Sequence, residues 1–444
     1  MQHSHDALDR PGGFSSGGLL GPLRHRDFRV LWAGMAVSLL GDGIFLVAIA
    51  WESYLLWNAP TALSIVGIGM ALPMVLLLLP GGVVSDRYDR RRVMLWADGV
   101  RAAAVAALAA LVLVGGLRFW ELVALVAVYG IGTAFFTPAF EAIVPDLLPS
   151  SDLPAANSLD QFVRPIALRL AGPMVGGALV AAGPGLAFAV DAATFAASLV
   201  AVVRIAPRRD HRAQATSSSF GAVREGLRFV RQRVWLWGTL AAAAGAYLVF
   251  LGPAEVLLPY LVKNDLHASA DTLGFVFAAG GIGAIGSALW MGRRGHPRRD
   301  ITVMYVTWTL ATLAIVGYGL AAAAWQLMLA CLVFNALETA GTIVWATVKQ
   351  RHVPSALLGR VSSLDWFISI GLLPVSFALT APVAAFAGVR ATLVGAGLLG
   401  AAITLAALFL PGMRDIERSS EPLEPVGEAV PVAGGARASV SSLN

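Results

Sequence analysis

Ionisable residues stand inside long apolar runs of this sequence, at Asp42, Glu52, Arg169, Asp191, Glu255 and Glu338. A charge at such a place costs several kcal/mol unless it faces a partner or water, so each one asks for a purpose. A carboxyl in an apolar surround can take up a proton and give it back near neutral pH. That is the chemistry needed to couple movement across a membrane to a proton gradient. Asp42, in Gly41-Asp42-Gly43, lies about 20 Å beyond Arg29 along a helix, near the middle of its run. Glu338 is also central, whereas Glu52 and Glu255 lie toward the outer ends of their runs, where solvation at a mouth is the alternative. Arg169 is halfway through its run, and Arg164 is shallow enough to snorkel to the interface. Structural pairing, for instance of Asp42 with Arg169, is the competing reading of the set. Asp98 and Arg101, three apart, pair on one helix face as structure.

Other chemistries find no residues. Lys263 and Lys349 are the only lysines, and neither follows glycine in a phosphate loop. No nucleophile elbow, zinc-protease or kinase signature occurs. The histidines lie in tails or between apolar runs without zinc-type spacing, so no metal site is expected. Cys331 stands alone, which rules out an intrachain disulfide. No catalytic set and no cofactor are expected; a proton gradient would supply the energy.

Two motifs accompany the charges. The first is Gly82-Val83-Val84-Ser85-Asp86-Arg87-Tyr88-Asp89-Arg90-Arg91, between the second and third apolar runs. Gly82 would let a neighbouring helix approach. Asp86 would sit at a helix N-terminus or pair with a cation, and Arg87, Arg90 and Arg91 would offer ion pairs that break as parts of the molecule move. A plain charged loop is the simpler alternative. The second motif is Gly172-Pro173-Met174-Val175-Gly176-Gly177, three residues past Arg169. Proline removes a backbone hydrogen bond and the glycines permit a kink and tight packing.

The elements that carry these residues follow from composition. The chain has 444 residues, 57% hydrophobic and 13% charged, against roughly 25% charged for a soluble domain. About twelve spans of bilayer length are predicted, near 30–56, 62–84, 93–115, 119–141, 158–182, 186–204, 234–261, 272–292, 301–320, 324–347, 361–386 and 391–411. The organisation reads as a disordered tail (1–22), a six-helix half (23–204), a basic linker (205–233), a second six-helix half (234–411) and a disordered tail (412–444). Arginines gather in the loops after spans 2, 6 and 8, and in the turn after span 10. The positive-inside rule places these loops and both termini in the cytoplasm. The net charge of +5 is thus a topology signal and not a nucleic-acid face. The loop after span 4 is the exception, with Asp146 and Asp152 and no base nearby in sequence.

An internal repeat supports the two halves. Pro149-Ser150 and Ser158-Leu159-Asp160 recur as Pro354-Ser355 and Ser363-Leu364-Asp365, an offset of 205. Arg29, Val30, Gly34 and Gly41 match Arg233, Val234, Gly238 and Gly245, an offset of 204. Asp42 falls opposite Ala246, so its charge is not a scaffold feature of both halves. Parallel duplication of six helices is an arrangement that places a transport site between the halves near the midplane.

The loop from Gly82 to Arg91 resembles the signature G-x-x-x-D-R-x-G-R-R of the major facilitator superfamily, with Asp89 where that pattern has glycine. Gly172-Pro173-x-x-Gly176-Gly177 resembles the later part of the antiporter motif of its proton-coupled drug exporters. With Ser38, Gly41, Asp42, Pro138, Pro145, Ala156-Asn157, Arg169 and Gly359-Arg360, the chain looks like the branch that holds enterobactin exporters and macrolide efflux proteins, over about residues 24–411. The resemblance implies an all-α membrane protein of the major facilitator fold. It implies alternating access and proton-coupled efflux of an amphipathic small molecule; protons and the lipid of the cell membrane are the further partners expected, and many arginines against two lysines, with abundant alanine, point by composition to a bacterium. A monomer is expected. An importer or lipid translocator on the same fold, or a membrane enzyme or receptor, are the other readings.

Overall fold

The computed structural model describes residues 18–205, 219–294, 297 and 299–418. Twelve helices among them are long and apolar enough to cross a membrane. They are α1 (Arg26–Leu56), α2 (Pro60–Ser85), α3 (Arg90–Leu113), α4 (Phe119–Leu147), α5 (Ala155–Ala182), α6 (Pro184–Arg204), α7 (Val234–Asp265), α8 (Ala270–Arg293), α9 (Asp300–Leu320), α10 (Ala324–His352), α11 (Leu357–Ala387) and α12 (Val389–Leu408). Several extend past the hydropathy limits: α1 starts at Arg26 and α10 runs to His352. Apolar patterning ends where the bilayer ends, but backbone hydrogen bonding continues into water.

The two halves repeat one packing scheme. In the first, α1 packs on α5 and α6, α2 on α4, and α3 on α4 and α6. In the second, α7 packs on α11 and α12, α8 on α10, and α9 on α10 and α12. The halves meet through α5 on α8 and, symmetrically, through α2 on α11. The repeat found in short sequence matches is therefore a repeat of the whole frame.

Hydrogen bonds join the halves at the arginine-poor end. The Tyr54 hydroxyl donates to the Val256 carbonyl at 2.5 Å, and Lys263 Nζ donates to the Tyr54 carbonyl at 2.5 Å. Asn58 Nδ2 donates to Asn264 Oδ1 at 2.7 Å.

Segments assigned to tails and linker from composition are partly ordered. Gly18–Arg24 forms a 3-10 turn, Ser219–Arg231 is a helix, and Asp415–Arg418 is a short helix. Glu417 caps α9, accepting from the Thr302 backbone N–H at 2.6 Å and the Thr302 hydroxyl at 2.9 Å. The helix Ser219–Arg231 is tied to α11 by an ion pair between Glu225 and Arg360, and it buries Phe229 and Val230. The acidic loop after α4 does have bases, brought from elsewhere in the chain. Asp146 pairs with Arg90 at 2.6 Å, and Asp152 pairs with Arg24 at 3.1 Å and with His25 at 2.8 Å.

The His25 hydrogen bond and the Arg24 guanidinium hold the Asp152 carboxyl below the usual carboxylate range, against an opposing effect of burial. A carboxyl shifted down in the folded chain stabilises above its unfolded value of about 3.9, and that contribution is lost as pH falls through the folded value. Asp152→Asn should therefore speed hydrogen exchange over residues 21–29 at pH 7, and the difference from wild type should close below about pH 4. Equal exchange at pH 7 would remove Asp152 as the anchor of this turn.

Candidate transport site at the seam of the two halves

The site is built around α5. Pro173 has no N–H to give to the carbonyl four residues back, which is that of Arg169. The helix opens there into a π-helical stretch, Ile166–Ala171, with Pro165 at its start. Such stretches often mark functional positions. The released carbonyl is covered by α8: a Cβ placed on Gly281 would lie 2.5 Å from the Arg169 carbonyl oxygen. Eight residues further, Gly177 faces α8 as well, where a Cβ would lie 2.9 Å from Asp271 Cα and 3.1 Å from Gly274 Cα. On the other side, Gly172 and Gly176 face α1, where a Cβ would lie 2.7 Å from Gly43 Cα and 2.9 Å from Ile44 Cα. Gly172, Pro173, Gly176 and Gly177 are all buried. The Gly-Pro motif thus lets α5 touch α1 and α8 backbone to backbone, so it forms part of the seam itself.

Arg169 is exposed, although it lies midway along α5. Its Nη1 donates to Asn335 Oδ1 of α10 at 3.4 Å, across the seam. Asn335 is steadied by donating Nδ2 to the Cys331 carbonyl at 2.9 Å. Glu338, one turn on, accepts from Thr342 Oγ1 at 2.9 Å. Glu255 on α7 is exposed between buried neighbours, Ala254 and Val256, and feels the Arg169 charge. Tyr247 on α7 lies within electrostatic range of both Arg169 and Glu338. The fold therefore sets Arg169 against Asn335, with Glu338 a turn further along α10 and Glu255 and Tyr247 of α7 within electrostatic range; the sequence did not single out Asn335 or Tyr247.

Glu52 belongs elsewhere. It is 6% exposed and sits at the arginine-poor end of α1, opposite Lys263, whose ammonium also faces the Trp51 ring at 5.7 Å. Glu52 and Glu255 are near-equivalent in the repeat, but one is packed at the closed end and the other lines the seam.

Asp42 joins a network inside the first half. Its Oδ1 accepts from the Tyr129 hydroxyl of α4 at 2.7 Å. The Asp98–Arg101 ion pair of α3 lies within electrostatic reach, fully buried, with Asp98 Oδ2 accepting from Ser198 Oγ of α6 at 2.7 Å. Arg101 rests over Phe136 at 4.2 Å and Phe195 at 4.8 Å. The sequence spacing identified the Asp98–Arg101 pair. Its neighbourhood with Asp42 comes from helix packing, and no sequence signal marked Tyr129 or Ser198. Arg164 pairs with Asp160 at 3.2 Å, one turn back on its own helix.

The loop between α2 and α3 is anchored within the first half. Arg90 Nη1 donates to the Ala142 carbonyl at 2.8 Å and to Asp146. Arg91 donates to the carbonyls of Val202 at 2.9 Å and Val203 at 2.6 Å, at the C-terminal end of α6 where helix carbonyls lack partners. Asp89, the departure from the signature, caps α3 by accepting from the Arg91 N–H at 2.9 Å. Arg87 is exposed, and the Asp86 side chain lies outside the described residues. The close approach expected at Gly82 is found one residue earlier: a Cβ on Gly82 would meet nothing within 4 Å, whereas one on Gly81 would meet the Ala134 carbonyl.

The model of the transmembrane secretion effector family matches residues 17–432. Macrolide efflux protein A of Streptococcus pyogenes is 26% identical over 402 residues, spanning 88% of this chain and 96% of that one. The multidrug efflux pump Tap of Mycolicibacterium fortuitum is 30% identical over 435 residues, spanning 90% and 98%. Among solved structures, a POT family transporter in complex with a thioalcohol-conjugated peptide aligns with a TM-score of 0.65 at 14% identity, covering 87% of this chain and 96% of that one, a likeness of fold. Matched over almost its whole length and built as two like bundles around a polar seam, this multi-pass membrane chain belongs to the transmembrane secretion effector family, efflux-type secondary transporters of the major facilitator superfamily.

Proposed function

We propose that the protein exports an amphipathic small molecule by alternating access, driven by protons entering against it. Its arginine-rich face and both termini lie in the cytoplasm, and it works as a monomer in the lipid of the plasma membrane without a cofactor. The observation that carries this reading is the polar contact at the seam. Midway along α5, Arg169 from one half bonds Asn335 of the other, with Glu338 one turn beyond Asn335 on α10 and Glu255 of α7 within electrostatic range. A cation and carboxyls at one seam suit a cargo with polar groups on an apolar body. Phe162, about two turns before Arg169 on α5, is 46% exposed and offers an apolar surface on the way to the arginine-rich end. The bonds of Tyr54, Asn58 and Lys263 close the opposite end. Asp42, held by Tyr129 in the same half as Arg169, is the proposed proton carrier.

In everted vesicles given a radiolabelled macrolide, Asp42→Asn should abolish accumulation driven by an imposed pH gradient, because the variant has no carboxyl there to carry the proton. Exchange of label at equal pH should persist. Full gradient-driven accumulation would refute the role of Asp42. Uptake in place of extrusion by wild-type cells would favour the importer reading. For topology, cysteines placed at Arg87 and Arg224 in a Cys331→Ser chain should react with a membrane-impermeant maleimide from the same, cytoplasmic side. Labelling from opposite sides would overturn the assigned orientation.

A further inference from the structure

Around Arg101, in the interior of the first half, carboxyls outnumber cations. Asp42 from α1, Asp98 from α3 and Asp191 from α6 share the neighbourhood of one guanidinium, Arg101. Asp98 is accounted for by its ion pair with Arg101 and its hydrogen bond from Ser198. Asp42 accepts from Tyr129. Asp191 is different. It is 0% exposed, its Oδ1 accepts from Thr194 Oγ1 at 3.2 Å, and its Oδ2 has no hydrogen-bond partner.

Asp191 also sits at the shoulder of Asp42. A Cβ on Gly41, the residue before Asp42, would collide with Asp191 Oδ1 and Thr194 Oγ1, so α1 and α6 press together at this point. Rings wall the place: Phe45 stacks on Tyr129 at 4.6 Å, and Phe195 lies 6.1 Å from Tyr129. The charged and titratable groups that face the two carboxyls are Arg101 and Asp98 from α3, Tyr129 from α4 and, toward Asp42, Arg164 from α5.

We propose that Asp191 is a second proton-binding carboxyl that holds one proton in common with Asp42. Only its use in transport rests on the proton-coupled reading above; the shared proton stands on the packing. Once Asp98 and Arg101 cancel, two carboxyls remain. With both ionised, two like charges would stand on the touching faces of α1 and α6 among aromatic rings, one of them with a bare oxygen, a state that nearby carboxyls avoid by keeping a proton. One proton between them leaves a carboxylate to accept from Tyr129 and a neutral acid beside Thr194. The pair then titrates as a unit. The second half has no such pair at the matching place, since Ala246 stands opposite Asp42.

The test is infrared spectroscopy of the full chain in nanodiscs at neutral pH, in water and in deuterium oxide. Wild type should show a protonated-carboxyl band that moves on deuteration. Asp191→Asn should lose one carboxylic-acid equivalent from it, while Asp191→Glu keeps the intensity and moves the band. An undiminished band in folded Asp191→Asn overturns the proposal. Should that variant not fold, an unmoved band in Asp191→Glu overturns it equally. Gradient-driven transport of a macrolide separates the two readings. If wild type shows no such transport but the band responds as expected, coupling falls and the shared proton stands. If wild type transports but the band ignores Asp191, the shared proton falls and coupling stands.

Discussion

Direct contact between helix backbones, with no side chain between, is the constraint on which the rest of the structure depends. In a bilayer, apolar side chains gain nothing by leaving lipid for each other, so close packing of small residues and the bonds that it permits hold helices together. Here α5 meets α1 through Gly172, Gly176 and Gly43, and meets α8 through Gly177, Gly274 and Gly281. Pro173 frees the Arg169 carbonyl at the same height and so opens the helix where its side chain must turn into the seam. One short motif thus sets the spacing of the halves and the placing of the cation between them.

Charge is then distributed unevenly over an even frame. The helices pack by the same scheme in both halves, but the buried carboxyls with their tyrosine and arginine belong to the first. Asn335 of the second half meets Arg169 across the seam, and Glu255 senses its charge. Even the repeated Ser-Leu-Asp element diverges. Asp160 pairs with Arg164 on its own helix, whereas Asp365 accepts from Lys349 of α10 at 2.5 Å and from Trp345 Nε1 at 2.9 Å.

The fold was legible because a bilayer imposes length, apolarity and loop charge on each span, and because the repeat of Arg29–Gly41 in Arg233–Gly245 survived. The members of the site that carry charge were legible too, since Asp42, Arg169 and Glu338 are out of place in apolar runs. Tyr129, Ser198 and Asn335 were not, because a neutral polar residue in a span raises no alarm until packing shows what it touches. Gly82 and Gly81 cannot be told apart by type; only the rotation of α2 against Ala134 decides which one is pressed. Asp146 and Asp152 looked unpaired because their bases, Arg90, Arg24 and His25, are distant in sequence and near only in the fold.

Two fastenings at different depths give α1 and α5 a shared fate. The residues just before α1, Arg24 and His25, grip Asp152 just before α5, and further in Gly43 lies flat against Gly172. Rods clasped at two heights resist sliding against each other. Movement of one half against the other therefore falls on the opposite side of α5, where its contact with α8 crosses between the halves at Gly177, Gly274 and Gly281.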